Sequence, residues 1–237
     1  MKTVDQRRMK LVLFDIDGTI LWSDGAGRRA MEGALTHVFG SAGDPRYRYD
    51  GKTDLQIARE LMRAEGLADD AIDARREAVL AGYLERLRRE LAAGERHVRL
   101  LPGIPALLDA LEPRPGVVLG LLTGNVAEGA ATKLGAAGVD FARFRVNAFG
   151  SDHEHRPSLP AVAQRRAREL LGMEVAGEDM VVIGDTPADV ECARAVGART
   201  VAVATGRYSV EELAEHAPTV VLPDLADTDA ALRAILG

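Results

Sequence analysis

Leu11-Val12-Leu13-Phe14-Asp15-Ile16-Asp17-Gly18-Thr19 runs four apolar residues straight into two carboxylates, a glycine and a threonine. A run that short cannot make a helix of its own, and its lack of polar alternation suits a strand buried on both faces. Comparable runs follow at Val117–Leu122, Met180–Ile183 and Thr200–Ala204, with a weaker one at Phe144–Phe149 and a candidate edge strand at Val220–Leu222. Helical patterns separate them. Strands alternating with helices predict an α/β domain with a mainly parallel sheet.

Between Leu21 and Leu101 the rhythm breaks, and the chain reads as helices. From Asp69 to Ala93, Ile72, Val79, Leu80, Tyr83, Leu84, Leu87 and Leu91 recur at three- and four-residue steps, predicting one long amphipathic helix. Thr53-Asp54 offers a helix start before Leu55 and Ile57, and Gly66 a stop. The expected division is a core of 1–21 and 96–237 with a helical insert over 22–95. Pro102, Pro105, Pro113 and Pro115 mark turns where the core resumes near His97.

The chain has 237 residues, 47% of them hydrophobic, enough for one large domain or for one carrying a smaller insertion. With aromatics at 4%, Leu, Val and Ala must fill the core. The net charge of -6 argues against nucleic-acid binding, which needs clustered Lys and Arg. Arginines do cluster at Arg86, Arg88 and Arg89, and at Arg165, Arg166 and Arg168, but interleaved acids make these solvated helix faces. The single cysteine, Cys192, excludes an intrachain disulfide and fits a reducing compartment; it falls in a helical stretch and reads as a small core residue. Met1–Lys10 is polar and unlike a signal peptide, and no run approaches the roughly 18 apolar residues of a membrane span, so a cytoplasmic protein is expected. Nothing in the sequence sets an oligomeric state.

The chemistry gathers at strand ends. In open α/β sheets ligands bind at the carboxyl ends of the strands, where Asp15 and Asp17 leave the first one. Carboxylates there cost stability unless paired, and a hard cation with oxygen ligands is a natural partner. A later strand ends in Leu122-Thr123-Gly124-Asn125, a hydroxyl plus free amides at a helix start that can cradle phosphate, though Thr-Gly-Asn is also an ordinary cap and turn. Another ends in Ile183-Gly184-Asp185-Thr186-Pro187-Ala188-Asp189, in which Asp185 alone could be a cap with proline just inside the helix. Four aspartates and a threonine on three strand ends are harder to assign to turns.

Phe14-Asp15-Ile16-Asp17-Gly18-Thr19, Leu122-Thr123-Gly124-Asn125 and Gly184-Asp185-Thr186-Pro187-Ala188-Asp189 resemble the first, second and fourth motifs of the haloacid dehalogenase-like hydrolases, within them the phosphoglycolate-phosphatase-like branch. The resemblance spans nearly the whole chain, and the insert sits where that branch carries its cap domain. It implies a Rossmann-like core with a helical cap and a Mg²⁺-dependent phosphatase acting on a small phosphorylated metabolite. Asp15 would be the nucleophile, forming an aspartyl-phosphate; Asp17 would protonate the leaving oxygen and then activate water. Mg²⁺ would be held by the Asp15 carboxylate, the Asp17 carbonyl and Asp185, with Asp189 acting through a metal-bound water. Thr123 would bond a phosphoryl oxygen, with Gly18, Gly124 and Asn125 beside it.

The family's third motif usually supplies a lysine before the fourth strand. Here the stretch reads Asp152-His153-Glu154-His155-Arg156-Pro157, making Arg156 the preferred cation over Lys133, which reads as an exposed helix residue. His153 and His155 read as exposed loop residues. Gly51-Lys52-Thr53-Asp54 resembles the branch's substrate-facing cap loop, with Lys52 and Thr53 as substrate contacts and Arg28 as a further one; a plain turn and N-cap fits the same residues. Asp17 argues against a dehalogenase, which needs no phosphate acid–base. A sugar phosphomutase would need the same aspartates. A non-catalytic phosphate-binding protein would be signalled by loss of the nucleophile or a metal ligand, and neither is lost.

Overall fold

The computed structural model describes residues 9–92, 98–172 and 174–237. Six parallel strands form the main sheet: β1 (Lys10–Phe14), β4 (Val117–Thr123), β5 (Val146–Phe149), β6 (Met180–Gly184), β7 (Arg199–Val203) and β8 (Val220–Leu222), in the order β5-β4-β1-β6-β7-β8. β1 lies centrally, with Phe14 beside Leu121 of β4 and Ile183 of β6. From β1 the chain builds outward to β4 and β5, then returns to lay β6 on the other side. That reversal opens a crevice at the carboxyl ends of β1, β4 and β6.

Side chains alternate along each strand, so each contributes to two cores. Val12 and Phe14, Leu119 and Leu121, and Val181 and Ile183 pack under α5 (Ile104–Leu111), α6 (Ala127–Ala136) and α10 (Thr228–Leu236). Leu11 and Leu13, Val118 and Leu122, and Met180 and Val182 pack under α7 (Leu159–Leu171) and α8 (Pro187–Ala195). Helices on both faces explain why the strands read as unbroken apolar runs.

The insert is helical, as expected: α1 (Ala26–Phe39), α2 (Asp54–Ala64), α3 (Asp69–Asp73) and α4 (Arg76–Ala92). Its own apolar cluster includes Met31, Leu35, Leu61, Met62, Tyr83 and Leu87, and it also takes in Val126 of the core. Two-residue strands β2 (Leu21–Trp22) and β3 (Arg99–Leu100) pair antiparallel where the chain leaves and re-enters the core, an arrangement too short to leave a sequence signal. The expected re-entry at residue 96, His97 and the polar start of Met1–Lys10 up to residue 8 lie outside the described residues.

The stretch expected as one helix from Asp69 is two. It turns at Ala74–Arg75, where Arg75 N–H bonds Ile72 O at 3.1 Å in a tighter turn. Asp73 ties that corner to α2 through Arg59 at 2.7 Å, and Ile72 and Val79 both still face inward, so the periodicity runs through the break. Among the described residues no helix is long and apolar enough to cross a membrane.

Candidate active site

Asp15 follows β1 and is buried. Its Oδ2 is paired at 2.9 Å with Nη2 of Arg156, which also reaches Asp189 Oδ1 at 2.5 Å. Arg156 opens a short 3₁₀ turn over 156–158 and is 4% exposed, so a full guanidinium lies inside the core, held by two carboxylates. Its Nε is buried without a hydrogen-bond partner among the described residues. Asp189 spends its other oxygen on the N–H (3.0 Å) and hydroxyl (2.7 Å) of Thr186, forming the capping box of α8.

Burial pushes the Asp15 carboxyl up to about 6, against the pull of Arg156 and with the charges of Asp189 and Asp17 adding to the rise. Burial and the charges of Asp189 and Asp15 likewise push Asp185 well above the usual range, despite a 3.2 Å hydrogen bond from Thr19 and the charge of Arg156. Oxygens of Asp15, Asp185 and Asp189 all lie within 4.8 Å of one another. Buried carboxylates so crowded repel unless a cation joins them, so the donor set fits a hard, oxygen-loving ion. Gly18 makes room for this set: at φ +82°, a β-carbon there would fall 2.3 Å from Asp185 Oδ2.

Asp17 faces elsewhere. Its Oδ2 takes Lys133 Nζ at 2.6 Å and Asn125 Nδ2 at 2.8 Å, and Ser23 Oγ donates to its Oδ1 at 3.3 Å. Burial would raise this carboxyl, but Lys133 together with Asn125 and Ser23 outweighs it and holds Asp17 below the usual carboxylate range. Asn125 is the hub. Its amide donates to Thr123 Oγ1 at 2.8 Å, while its own oxygen accepts from Lys133 at 2.7 Å. The expectation of an exposed Lys133 is corrected, for the residue is 4% exposed. The insert covers it, which spacing along its own helix could not reveal.

The insert roofs the site over a cavity of about 420 Å³, lined among others by Asp15, Asp17, Thr123, Asn125, Lys133 and Arg156. Asp185, Gly124, Lys52 and Arg28 also line it. Lys52 Nζ bonds Glu60 at 2.6 Å and Tyr47 Oη at 2.8 Å, which fixes it at the insert end of the cavity. Arg28 is anchored by Glu32 at 2.7 Å and by the carbonyls of Tyr47 and Pro45.

Thr53 is brought to the interface rather than to the cavity. Its hydroxyl donates to Glu154 O at 2.7 Å and accepts from Gln56 N–H at 3.1 Å, so both capacities are spent clasping insert to core. Gly124 permits the clasp, since a β-carbon there would sit 2.0 Å from Lys52 O. His153 and His155 are exposed, as read. Cys192 is buried, and burial pushes its thiol up to about 12, which removes it as a nucleophile. Sequence reasoning missed Ser23, Tyr83 and the carboxylate of Asp54. The last was visible only as a helix start and as the end of the Gly51-Lys52-Thr53-Asp54 loop.

Residues 9–197 match the haloacid dehalogenase-like hydrolases. The chain is 32% identical to a phosphoglycolate phosphatase of Rhodospirillum rubrum over 92% of its own length and 88% of that protein. Phosphoglycolate phosphatase 1 of Pseudomonas aeruginosa is 30% identical over 93% of this chain and 79% of its own. CbbY from Rhodobacter sphaeroides, solved in complex with phosphate, shares the fold with a TM-score of 0.71 at 22% identity, covering 92% of this chain and 96% of that one.

Proposed function

The chain belongs to the haloacid dehalogenase-like hydrolases, and we propose that it hydrolyses a small, phosphoglycolate-like phosphate monoester through an aspartyl-phosphate on Asp15. The carrying observation is that a buried carboxylate, a second carboxylate with its own cation and Asp185 of the acidic donor set line one cavity at one sheet edge, with Asp189 just behind. Arg156 holds Asp15 Oδ2 and thereby fixes the carboxylate, leaving Oδ1 to attack phosphorus. As the bond from phosphorus to the leaving oxygen breaks, Asp17 gives that oxygen a proton. In the second half, water attacks phosphorus, its proton passes to Asp17, and the bond to Asp15 breaks to release phosphate.

Mg²⁺ would be held by Asp15, Asp185 and the Asp17 carbonyl, with Asp189 behind them, and would offset the negative charge where nucleophile and phosphoryl group meet. Thr123 Oγ1 accepts from Asn125, which leaves its own proton for a phosphoryl oxygen. An arriving phosphate dianion competes with Asp17 for Lys133 and adds its own repulsion, and both effects favour the protonated acid that the first step needs. The insert acts as a cap, its clasp at Thr53 and Gly124 supporting a closed form that excludes bulk water. Lys52 and Arg28 meet the far end of the substrate. Phosphate release from a panel of small monoesters with Mg²⁺ tests the reading; isomeric esters in place of free phosphate would reassign the chain to a mutase.

A further inference from the structure

Asp54 opens α2 of the insert, yet its carboxylate is spent on the core. Oδ2 accepts the Val126 N–H at 2.9 Å, at the start of α6, a helix whose own N-cap residue supplies no side-chain hydrogen bond. The Asp54 N–H donates to Gly124 O at 2.8 Å. Asp54 therefore holds both ends of the Gly124–Val126 turn, and the residue between them is Asn125, the amide that binds Asp17, Thr123 and Lys133.

The same carboxylate faces Lys133. Burial pushes Asp54 up to about 6, and Lys133 is the strongest influence opposing that rise, ahead of the Val126 N–H. The other ionisable groups facing it are Asp17, the phenol of Tyr49, and the buried phenol of Tyr83 on α4, whose hydroxyl favours the Asp54 carboxylate as a weak hydrogen-bond donor. Gly27 of α1 also comes so near that a β-carbon there would sit 3.1 Å from Lys133 Nζ. Helices α1, α2 and α4 of the insert thus build the surroundings of a lysine that belongs to the core.

A plain docking role does not account for the choice of side chain. Asparagine or serine could accept the Val126 N–H without the cost of burying a charge. What the carboxylate adds is a negative charge directed at Lys133.

Resting on the phosphatase reading above, we propose that Asp54 is a positioning residue for the acid–base half of the site, fixing the Asn125 turn and Lys133, and through them Asp17, when the insert is docked. Asp17 is then held for proton transfer only in the closed enzyme. Proton transfer to or from water is thereby coupled to the presence of the cap.

The test is a double-mutant cycle on the full chain with Mg²⁺, using p-nitrophenyl phosphate. Asp54→Ala should lower kcat about 10-fold while KM stays within about threefold. On a Lys133→Met background the same change should cost clearly less, about threefold, because the ammonium path from Asp54 to Asp17 is already cut and only the path through the Asn125 amide remains. Asp54→Asn, which keeps an acceptor for Val126 N–H, should recover part of the alanine loss. Independent, multiplying losses in the cycle would overturn the proposal, as would an effect confined to KM or none at all. If Asp54→Ala does not fold, Asp54→Asn runs the same cycle under the same criteria. The phosphatase reading fails separately: phosphate release that survives Asp15→Asn sinks it whatever the cycle shows.

Discussion

Asp15 and Asp17 stand two residues apart, and each is answered by a cation of different origin. Arg156 reaches Asp15 entirely within the core, wedged between that carboxylate and Asp189. Lys133 reaches Asp17 from a core helix, but the insert encloses it through Gly27, Asp54 and Tyr83. The nucleophile's pair is complete without the insert, whereas the acid–base pair is finished by it. On the roles proposed above, a nucleophile paired within the core and an acid–base completed by the insert would let one sheet edge keep its geometry while the insert governs proton transfer.

The strongest challenge to this contrast is Asp15→Asn. Asparagine keeps the shape but is no nucleophile, so phosphate release should fall on the order of 10⁴-fold or more, as when a covalent catalyst is removed elsewhere. Circular dichroism and melting should show a folded protein, since a neutral amide relieves the crowding around Asp185. A folded variant with near-normal turnover rules out the covalent route.

The two cations should then separate by the kind of damage their loss does. Arg156→Ala strands two buried carboxylates, at a cost of about 3–5 kcal/mol in stability as well as activity. Arg156→Lys should recover part of both, limited because an ammonium cannot copy the guanidinium fork. Lys133→Met should cut kcat/KM about 100-fold with a smaller shift in melting temperature, since Asp17 lies at the cavity and is 40% exposed. Equal thermal losses in the two variants would break the contrast between a built-in and a conditional pair.

How far the sequence carried divides along the same line. Strands β1, β4, β6 and β7 were legible because helices cover both their faces, leaving an unbroken apolar signature. Asp15, Asp17, Thr123 and Asp185 were legible because a parallel sheet brings its strand ends to one edge whatever the loops do. Arg156 was within reach because it stands where the family's third motif supplies a cation, although it opens a 3₁₀ turn where a residue before proline favours extended backbone. What stayed hidden depends on distant chain. Lys133 looked exposed because what buries it begins about a hundred residues earlier, at Gly27, and Thr53 looked like a substrate contact because its partner, Glu154, is about as far off in the other direction. Asp54 looked like part of a helix start and of the cap-like loop for the same reason.

The acidic donor set offers the next test. Asp185 is held far from its ordinary ionisation by burial and by Asp189 and Asp15, so the metal-free protein carries a repulsion that Mg²⁺ would relieve. Added Mg²⁺ should raise the melting temperature of the wild type, through binding to the folded state. Asp185→Asn should melt at or above the metal-free wild type and lose most of that rise. A full Mg²⁺ response in Asp185→Asn would mean the ion sits elsewhere.

The smallest expected effect isolates the charge of Asp54 from its hydrogen bond. Its carboxyl is raised from 3.8 to about 6 in the folded protein, so the native state binds a proton more readily than the unfolded chain does. The sign follows: with protons bound preferentially to the native state, stability falls as pH climbs from about 4 to about 6 and stays lowered above that. The full cost is of order 3 kcal/mol at most, from a shift of roughly two pKa units. Asparagine keeps an acceptor for Val126 N–H and carries no charge to bury, so Asp54→Asn should melt about 2–6 °C above wild type at pH 8. Near pH 4 both side chains are neutral and the two proteins should melt together. A variant that gains stability while losing kcat is the signature of a charge kept for function at the expense of the fold. Melting curves that run parallel from pH 4 to pH 8 would show that the Asp54 charge carries no net burial cost, and the argument that a carboxylate is retained here to act on Lys133 would lose its premise.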